Sequence, residues 1–245
     1  MKIETAGTMV KPVISDFEAT YIALRRKENR IYSNEQVRGL PGIEPSHPHC
    51  NEWLARKQSS RKLVGYLRKK NMPLKILEVG CGNGWLSSRL AEIPNSRVIG
   101  LDVNRVEVQQ AEETFDMENL RFVHDEINND RLPRKIFDII VFAASIQYFK
   151  NLDEAVSIAT SFLNTRGEIH ILDTPFYDGG EVRNAAIRSQ QYYASMGFPQ
   201  MAGYYFHHQW KELKNYRYKL LYHPGWLINR LWKPVNNFPW IRIKS

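Results

Sequence analysis

Between residues 74 and 173, short apolar runs alternate with stretches whose apolar residues recur at helical spacing. Leu74–Val79 is mostly apolar and runs into a glycine cluster, the profile of a strand buried on both faces. From Trp85 to Ile93 the spacing puts Leu86, Leu90 and Ile93 on one helical face. Arg97–Asp102 predicts a second strand. Asn104 then offers an N-cap, and Glu107 three residues on predicts a capping box. Val108, Ala111 and Phe115 form the apolar face of that helix. Leu120–His124 and Phe137–Ala144 predict the third and fourth strands, and Glu168–Asp173 the fifth, after a turn at Asn164–Gly167. Asp153–Leu163 predicts a helix with Ala155, Ile158, Ala159 and Phe162 facing inward. Strands separated by helices imply an α/β fold: a mostly parallel twisted sheet with helices on both faces. Ligands of such sheets sit beyond the carboxyl ends of the strands.

The two ends read differently. Phe17–Arg30 predicts a helix, followed by a loop containing Pro and His, and Asn51–Lys70 predicts another helix. Residues 1–50 therefore read as an N-terminal helical lid on a domain spanning 51–245. After Gly179 a helical stretch reaches about Met196. An aromatic-rich segment follows, in which strands near Ala202–His207 and Tyr216–Tyr222 form an antiparallel pair ahead of an irregular extension.

The 245 residues are 43% hydrophobic, enough for one globular domain with a cap. Two cysteines, Cys50 and Cys81, exclude a disulfide framework and a four-thiolate zinc site, and no metal site is expected. His47-Pro-His49-Cys50 has ligand-like spacing, but the rest of a zinc set is missing. The longest apolar run, Ile139–Ile146, is too short for a bilayer, and Met1 to Val13 lacks the apolar stretch of a signal peptide. A cytoplasmic protein is the expectation. The net charge of +8 is uneven: +7 over residues 1–70, −7 over 71–180 and +8 over 181–245. Basic flanks attract phosphate, nucleic acid, anionic lipid or acidic small molecules, and they also serve as solvated faces.

The loop Glu78-Val-Gly80-Cys81-Gly82-Asn83-Gly84 lies between the first strand and the first helix of the alternating region. A dinucleotide fingerprint needs Gly or Ala at position 85, where this chain has Trp85, and no Gly-Lys-Ser/Thr follows, so the loop is no P-loop either. An acid followed by Gly-x-Gly-x-Gly at this turn resembles the class I S-adenosylmethionine-dependent methyltransferases, over roughly Leu74–Asp173. The resemblance implies a Rossmann-like fold, S-adenosyl-L-methionine as cofactor and S-adenosyl-L-homocysteine as product. It implies that Glu78, Gly80, Cys81, Gly82 and Gly84 line the cofactor. Asp102, with Val103 beside it, would take the ribose hydroxyls, because a carboxylate accepts two hydroxyl bonds at once. Asp125 would take the adenine amino group, with Glu126 next to the ring. Phe142 and Ala143 would contact the methionine part.

Transfer from a sulfonium needs an aligned nucleophile, and a base only where the acceptor must lose a proton. His207 and His208 are the candidate bases, read as lying at a strand end near the acceptor pocket. His124 and His170 lie inside predicted strands and read as structural. Gln147 and Tyr148 follow the fourth strand and would orient an acceptor or plug the core, and Asp173 would face the cleft. Ala144-Ser-Ile-Gln147 replaces the Asn/Asp-Pro-Pro-aromatic of the base-amino branch, and neither cysteine supplies the nucleophile of cytosine-carbon enzymes. The pattern is similar to the small-molecule branch, with a small or lipid-linked acceptor, anionic ones included. An RNA- or protein-directed methyltransferase and a non-catalytic methyltransferase-like subunit remain as alternatives. The tail from Trp226 to Trp240 mixes Trp with Lys and Arg, which suits a membrane surface, single-stranded nucleic acid or packing on the domain.

Overall fold

A computed structural model describes residues 16–128, 132–226 and 236–245. The strands are β1 (Leu74–Val79), β2 (Ser96–Asp102), β3 (Leu120–His124), β4 (Phe137–Ala143), β5 (Leu163–Leu172), β6 (Tyr218–Tyr222) and β7 (Trp240–Lys244). The helices are α1 (Asp16–Lys27), α2 (Asn34–Gly39), α3 (Cys50–Arg68), α4 (Trp85–Ala91), α5 (Arg105–Thr114), α6 (Leu152–Phe162) and α7 (Val182–Ser195). One seven-stranded sheet has the order β3-β2-β1-β4-β5-β7-β6. The first five strands run parallel, and β7 is antiparallel to both neighbours.

The apolar runs in β1 and β4 exist because both sheet faces are covered. Ile76, Ile139 and Val141 join one core with Leu63 and Leu67 of α3 and Leu86 and Leu90 of α4. Leu77, Ile140 and Phe142 join the opposite core with Ala155, Ala159 and Phe162 of α6. Successive strand residues point to opposite faces, so each run supplies both cores. A third cluster joins Leu24 of α1 to Tyr193 of α7 and Met201, and it hangs over the carboxyl end of the sheet.

The C-terminal strand pair exists with a different member. Ala202–His207 is not a strand: Pro199–Tyr204 forms a 3-10 helix, and Phe206 N–H donates to Gln147 O at 2.7 Å. Its aromatic run is satisfied by ring contacts with α1, α7 and the turn after β4, so no strand partner is needed. The partner of β6 is Trp240–Lys244, in the stretch read as irregular extension. Trp240 is buried there, Trp226 is exposed, and residues 227–235 of that tail lie outside the described residues. Among the described residues no helix is long and apolar enough to cross a membrane.

Asn104 does cap α5, accepting from Val106 and Glu107 N–H at 3.1 and 3.2 Å. The predicted box does not close. The Asn104 N–H donates to Asp102 Oδ1 at 2.8 Å, and Glu18 of α1 caps the Arg105 N–H at 2.7 Å. Glu107 is left to face the ligand cleft described below.

A polar cluster pins β5 to β7 and α3. Glu168 accepts from Tyr66 at 3.0 Å and pairs with Lys70 Nζ at 2.8 Å, and Arg242 lies 3.6 Å away. The Trp240 indole N–H donates to His170 Nδ1 at 3.1 Å, which leaves the neutral ring's proton on Nε2, facing Glu168. Burial alone would raise the Glu168 carboxyl, but His170 and Lys70 override it and hold it at about 2. Burial lowers His170 below its usual range. Both shifts make acid destabilising: His170 from below its unfolded value near 6.5, and Glu168 as pH falls from about 4.5 towards 2. Removing one partner of a buried pair costs about 3 kcal/mol, so Glu168→Gln should cost most of that at pH 7. The gap between wild type and variant in urea midpoints should hold from pH 7 to 5 and narrow by pH 3.5. A gap independent of pH would assign the cost to packing.

Candidate active site

A cavity of about 430 Å³ opens beyond the carboxyl ends of β1, β2 and β4, between the sheet and helices α1 and α3. Its floor is the glycine loop. Gly80 takes φ +76, and a Cβ built there would lie 2.4 Å from Ser145 Cβ, in the turn after β4. Ser145 Oγ donates to Val79 O at 2.5 Å, which ties the two strand ends together. Gly84 serves differently from expectation, since it does not line the cavity. A Cβ there would meet Phe122 Cζ at 2.5 Å and Ala111 Cβ at 2.8 Å, so this glycine lets α4 approach β3 and α5.

Five acids surround the floor. Asp102 accepts from Gly82 N–H at 2.7 Å and, through its other oxygen, from Asn104 N–H at 2.8 Å. Each oxygen keeps a lone pair for a hydroxyl. Burial raises the Asp102 carboxyl, while those two backbone donors oppose the rise. Glu107 faces it across Gly82 and is raised too, by burial and by the Asp102 charge. Glu78 is buried with the Ser87 hydroxyl donating to it at 2.5 Å, and burial pushes it up to about 8. Asp125 and Glu126 edge the cavity past β3, where Asp125 Oδ1 accepts the Glu126 N–H at 2.9 Å. Val103 and Ala143 complete the wall. Cys81 lies within it, and burial raises its thiol well above the usual range, which removes it as a nucleophile at neutral pH.

The roof is aromatic. Phe17 and Tyr21 of α1, Tyr148 and Tyr204 line the same cavity, with ring centroids 5.1–5.9 Å apart. Burial raises the Tyr21 and Tyr148 hydroxyls, so neither is an anion at neutral pH. The α3 wall carries Arg56 and Glu52, joined by Arg30 from the preceding segment. Burial would raise Glu52, yet the hydrogen-bonded Arg30 and the Arg56 charge bring it down to about 2.

The expected bases are not in the cavity. His208 is buried behind the turn after β4 and bonds Ile146 O through Nε2 at 3.1 Å. His207 packs on α7, with Nε2 2.9 Å from Ser189 Oγ. Both follow from the loss of the strand at 202–207, which turns these side chains away from the sheet end. Gln147 also stands apart, bonding Thr174 and the Ala144 carbonyl, and so does Asp173, which accepts from Ser59 and Asn236. Phe142 is core. Tyr148, Glu78, Gly80, Cys81, Gly82, Asp102, Val103, Asp125, Glu126 and Ala143 do meet in one cavity. Sequence reasoning missed Phe17, Tyr21 and Arg25, although their spacing of four marks one helical stripe. It also missed Glu107, because a cap partner and a cavity acid look alike in sequence.

The match to known proteins agrees with this architecture. Residues 70–220 match the family model described as methyltransferase domain. A malonyl-[acyl-carrier protein] O-methyltransferase of Ilyobacter polytropus is 31% identical over 115 residues, which are 46% of this chain and 42% of that protein. The corresponding protein of Acetivibrio thermocellus is 30% identical over 95 residues, 38% of this chain and 33% of its own length. The match thus spans less than half the length of these curated relatives. Among solved structures, magnesium protoporphyrin IX methyltransferase from Synechocystis with bound S-adenosylhomocysteine superposes with a TM-score of 0.60 at 14% identity. That alignment covers 94% of this chain and all of the other, and it shows a shared fold. With the family model covering well over half of its length, the chain belongs to the methyltransferase domain family.

Proposed function

We propose that this chain is an S-adenosylmethionine-dependent methyltransferase acting in the cytoplasm on a small-molecule or carrier-linked acceptor. Residues 1–50, of which 1–15 lie outside the described residues, would be a lid on the catalytic domain, 51–245. One observation carries this reading: Asp102, locked to Gly82 of the acid-flanked loop, shares a single cavity with the aromatic roof of α1. The volume lies in the range of pre-formed small-molecule pockets. Asp102 and Val103 would hold the ribose, Asp125 and Glu126 the adenine, and Gly80, Cys81, Gly82 and Ala143 the methionine part. Glu78 and Arg56 offer opposite charges to the ammonium and carboxylate of the amino-acid end. The named relative methylates malonyl-[acyl-carrier protein] on oxygen, which supports a carrier-linked or carboxylic acceptor.

When bound, S-adenosylmethionine supplies a methyl carbon on a positively charged sulfur. The protein's part is alignment and exclusion of water, the work of the aromatic roof. Tyr148 would act as a wall of the acceptor site. With His207 and His208 behind that wall, the acceptor atom favoured is one that needs no base, such as a carboxylate oxygen.

Calorimetry tests the cofactor assignment. Both S-adenosylmethionine and S-adenosylhomocysteine should bind in the micromolar range, and failure of both would favour the non-catalytic subunit. Glu78, raised to about 8, is mostly protonated in the empty cavity at pH 7. An incoming ammonium group would expel that proton. Affinity should therefore rise between pH 6 and 8, with proton release read from buffers of different ionisation enthalpy. Glu78→Gln should abolish both effects; a flat pH profile in the wild type would show that Glu78 stays neutral.

A further inference from the structure

Around the cavity, three arginines face two carboxylates. Glu52 is taken by Arg30, at 2.5 and 2.8 Å, and by Arg56 at 3.0 Å. Glu28 is shared by Arg30 at 3.2 Å, the Tyr192 hydroxyl, and Arg25 at 3.4 Å. Arg25 has the longest ion pair of the set, and Glu107 on the cavity floor also acts on its charge. Its remaining partner is the neutral Tyr21 hydroxyl, 2.9 Å from Nη2, and its guanidinium carbon sits 4.7 Å from the centre of the Tyr21 ring. Arg25 therefore stands at the edge of the chamber lined by Phe17, Tyr21, Tyr148 and Tyr204, one turn along α1 from Tyr21. On the floor the charges are the reverse, with Asp102 and Glu107. An acceptor must lie on the roof side, because the floor is shaped for the cofactor.

We infer that Arg25 anchors a carboxylate of the acceptor, whose flat apolar body stacks among the four aromatic rings. This inference rests on the methyltransferase reading above and narrows its acceptor class. A guanidinium matches a carboxylate with two parallel hydrogen bonds. Rings at these spacings accept a planar partner by stacking or edge contact.

The test titrates 2-naphthoate, the neutral 2-naphthamide and naphthyl phosphate into the full-length protein, with and without saturating S-adenosylhomocysteine. Naphthoate should bind the loaded protein at least tenfold more tightly than the neutral amide and no more weakly than the phosphate. Arg25→Gln should remove that preference, leaving naphthamide binding and S-adenosylhomocysteine affinity within twofold of wild type, and Arg25→Lys should restore part of it. Thermal melts check that both variants fold. Equal binding of acid and amide, no binding of naphthoate, or an unaltered preference in Arg25→Gln overturns the inference. So does a matching loss of S-adenosylhomocysteine affinity in Arg25→Gln, which would assign Arg25 to the cofactor. Tighter binding of the phosphate overturns the carboxylate assignment. Failure of the wild type to bind S-adenosylhomocysteine is a separate result and overturns the methyltransferase reading itself.

Discussion

Asp102→Ala is expected to weaken S-adenosylhomocysteine binding about 100-fold, equivalent to about 2.8 kcal/mol. The side chain stands at the end of β2 with a lone pair free on each oxygen after accepting from Gly82 and Asn104. Hydrogen bonds to a charged acceptor contribute about 1.5–3 kcal/mol each, and a bound ribose would form two of them. Not all of that is lost, because water enters the space and the freed N–H groups find other partners. Loss of the Gly82 bond adds to the effect by loosening the loop that cradles the ligand. Asp102→Asn separates the two contributions. Its amide oxygen can still accept from one backbone N–H, while its NH₂ faces the other donor, so the loop is disturbed and the hydroxyl acceptor halved. Calorimetry on both variants, beside a melting curve for each, is the measurement. If Asp102→Ala bound the ligand as wild type does, the acid would be a brace for the turn and the ribose assignment would be wrong.

How much of this site could be read in the sequence depended on how local its causes were. The strands β1 and β4 were legible because burial on both faces leaves little room for polar residues, and Ile139-Ile140-Val141-Phe142 carries that signature within four residues. The glycine loop and Asp102 were legible because they sit at fixed places relative to those strands. β7 was not, because Trp240-Ile-Arg-Ile-Lys244 becomes a strand only through the slot between β5 and β6, far away in sequence. Tyr204, Tyr205 and Phe206 form an aromatic run that suits a strand, yet their partners are Phe17, Tyr148 and the Gln147 carbonyl. That misreading carried His207 and His208 into the acceptor pocket with them. The arginines were invisible for another reason. Arg25, Arg30 and Arg56 look like any solvated basic residues until α1 and α3 are folded over the sheet.

Gly80→Ala should destabilise the protein by about 4 kcal/mol, the sum of two independent penalties. The first is conformational: Gly80 has φ +76, and a non-glycine residue held in the left-handed region costs about 1–2 kcal/mol. The second is steric. The new methyl would lie 2.4 Å from Ser145 Cβ, where carbon atoms prefer about 3.5–4.0 Å. Ser145 cannot retreat freely, because its hydroxyl bonds Val79 O at 2.5 Å and its side chain is buried. Relief must come from parting β1 and β4 at the end where the cofactor would bind. The variant should therefore melt roughly 8–16 °C below wild type for a chain of this size. Gly65→Ala is the matched control. Gly65 lies within α3 with nothing within 4 Å of its added Cβ and no positive φ, so alanine there should raise stability by about 0.5–1 kcal/mol. The same chemical change is thus expected to have opposite signs at the two positions. If Gly80→Ala melted with wild type, the approach of the glycine loop to the turn after β4 would not be as tight as described. S-adenosylhomocysteine binding by that variant would then be the next measurement, since the closeness of those two strand ends is what shapes the floor of the cavity.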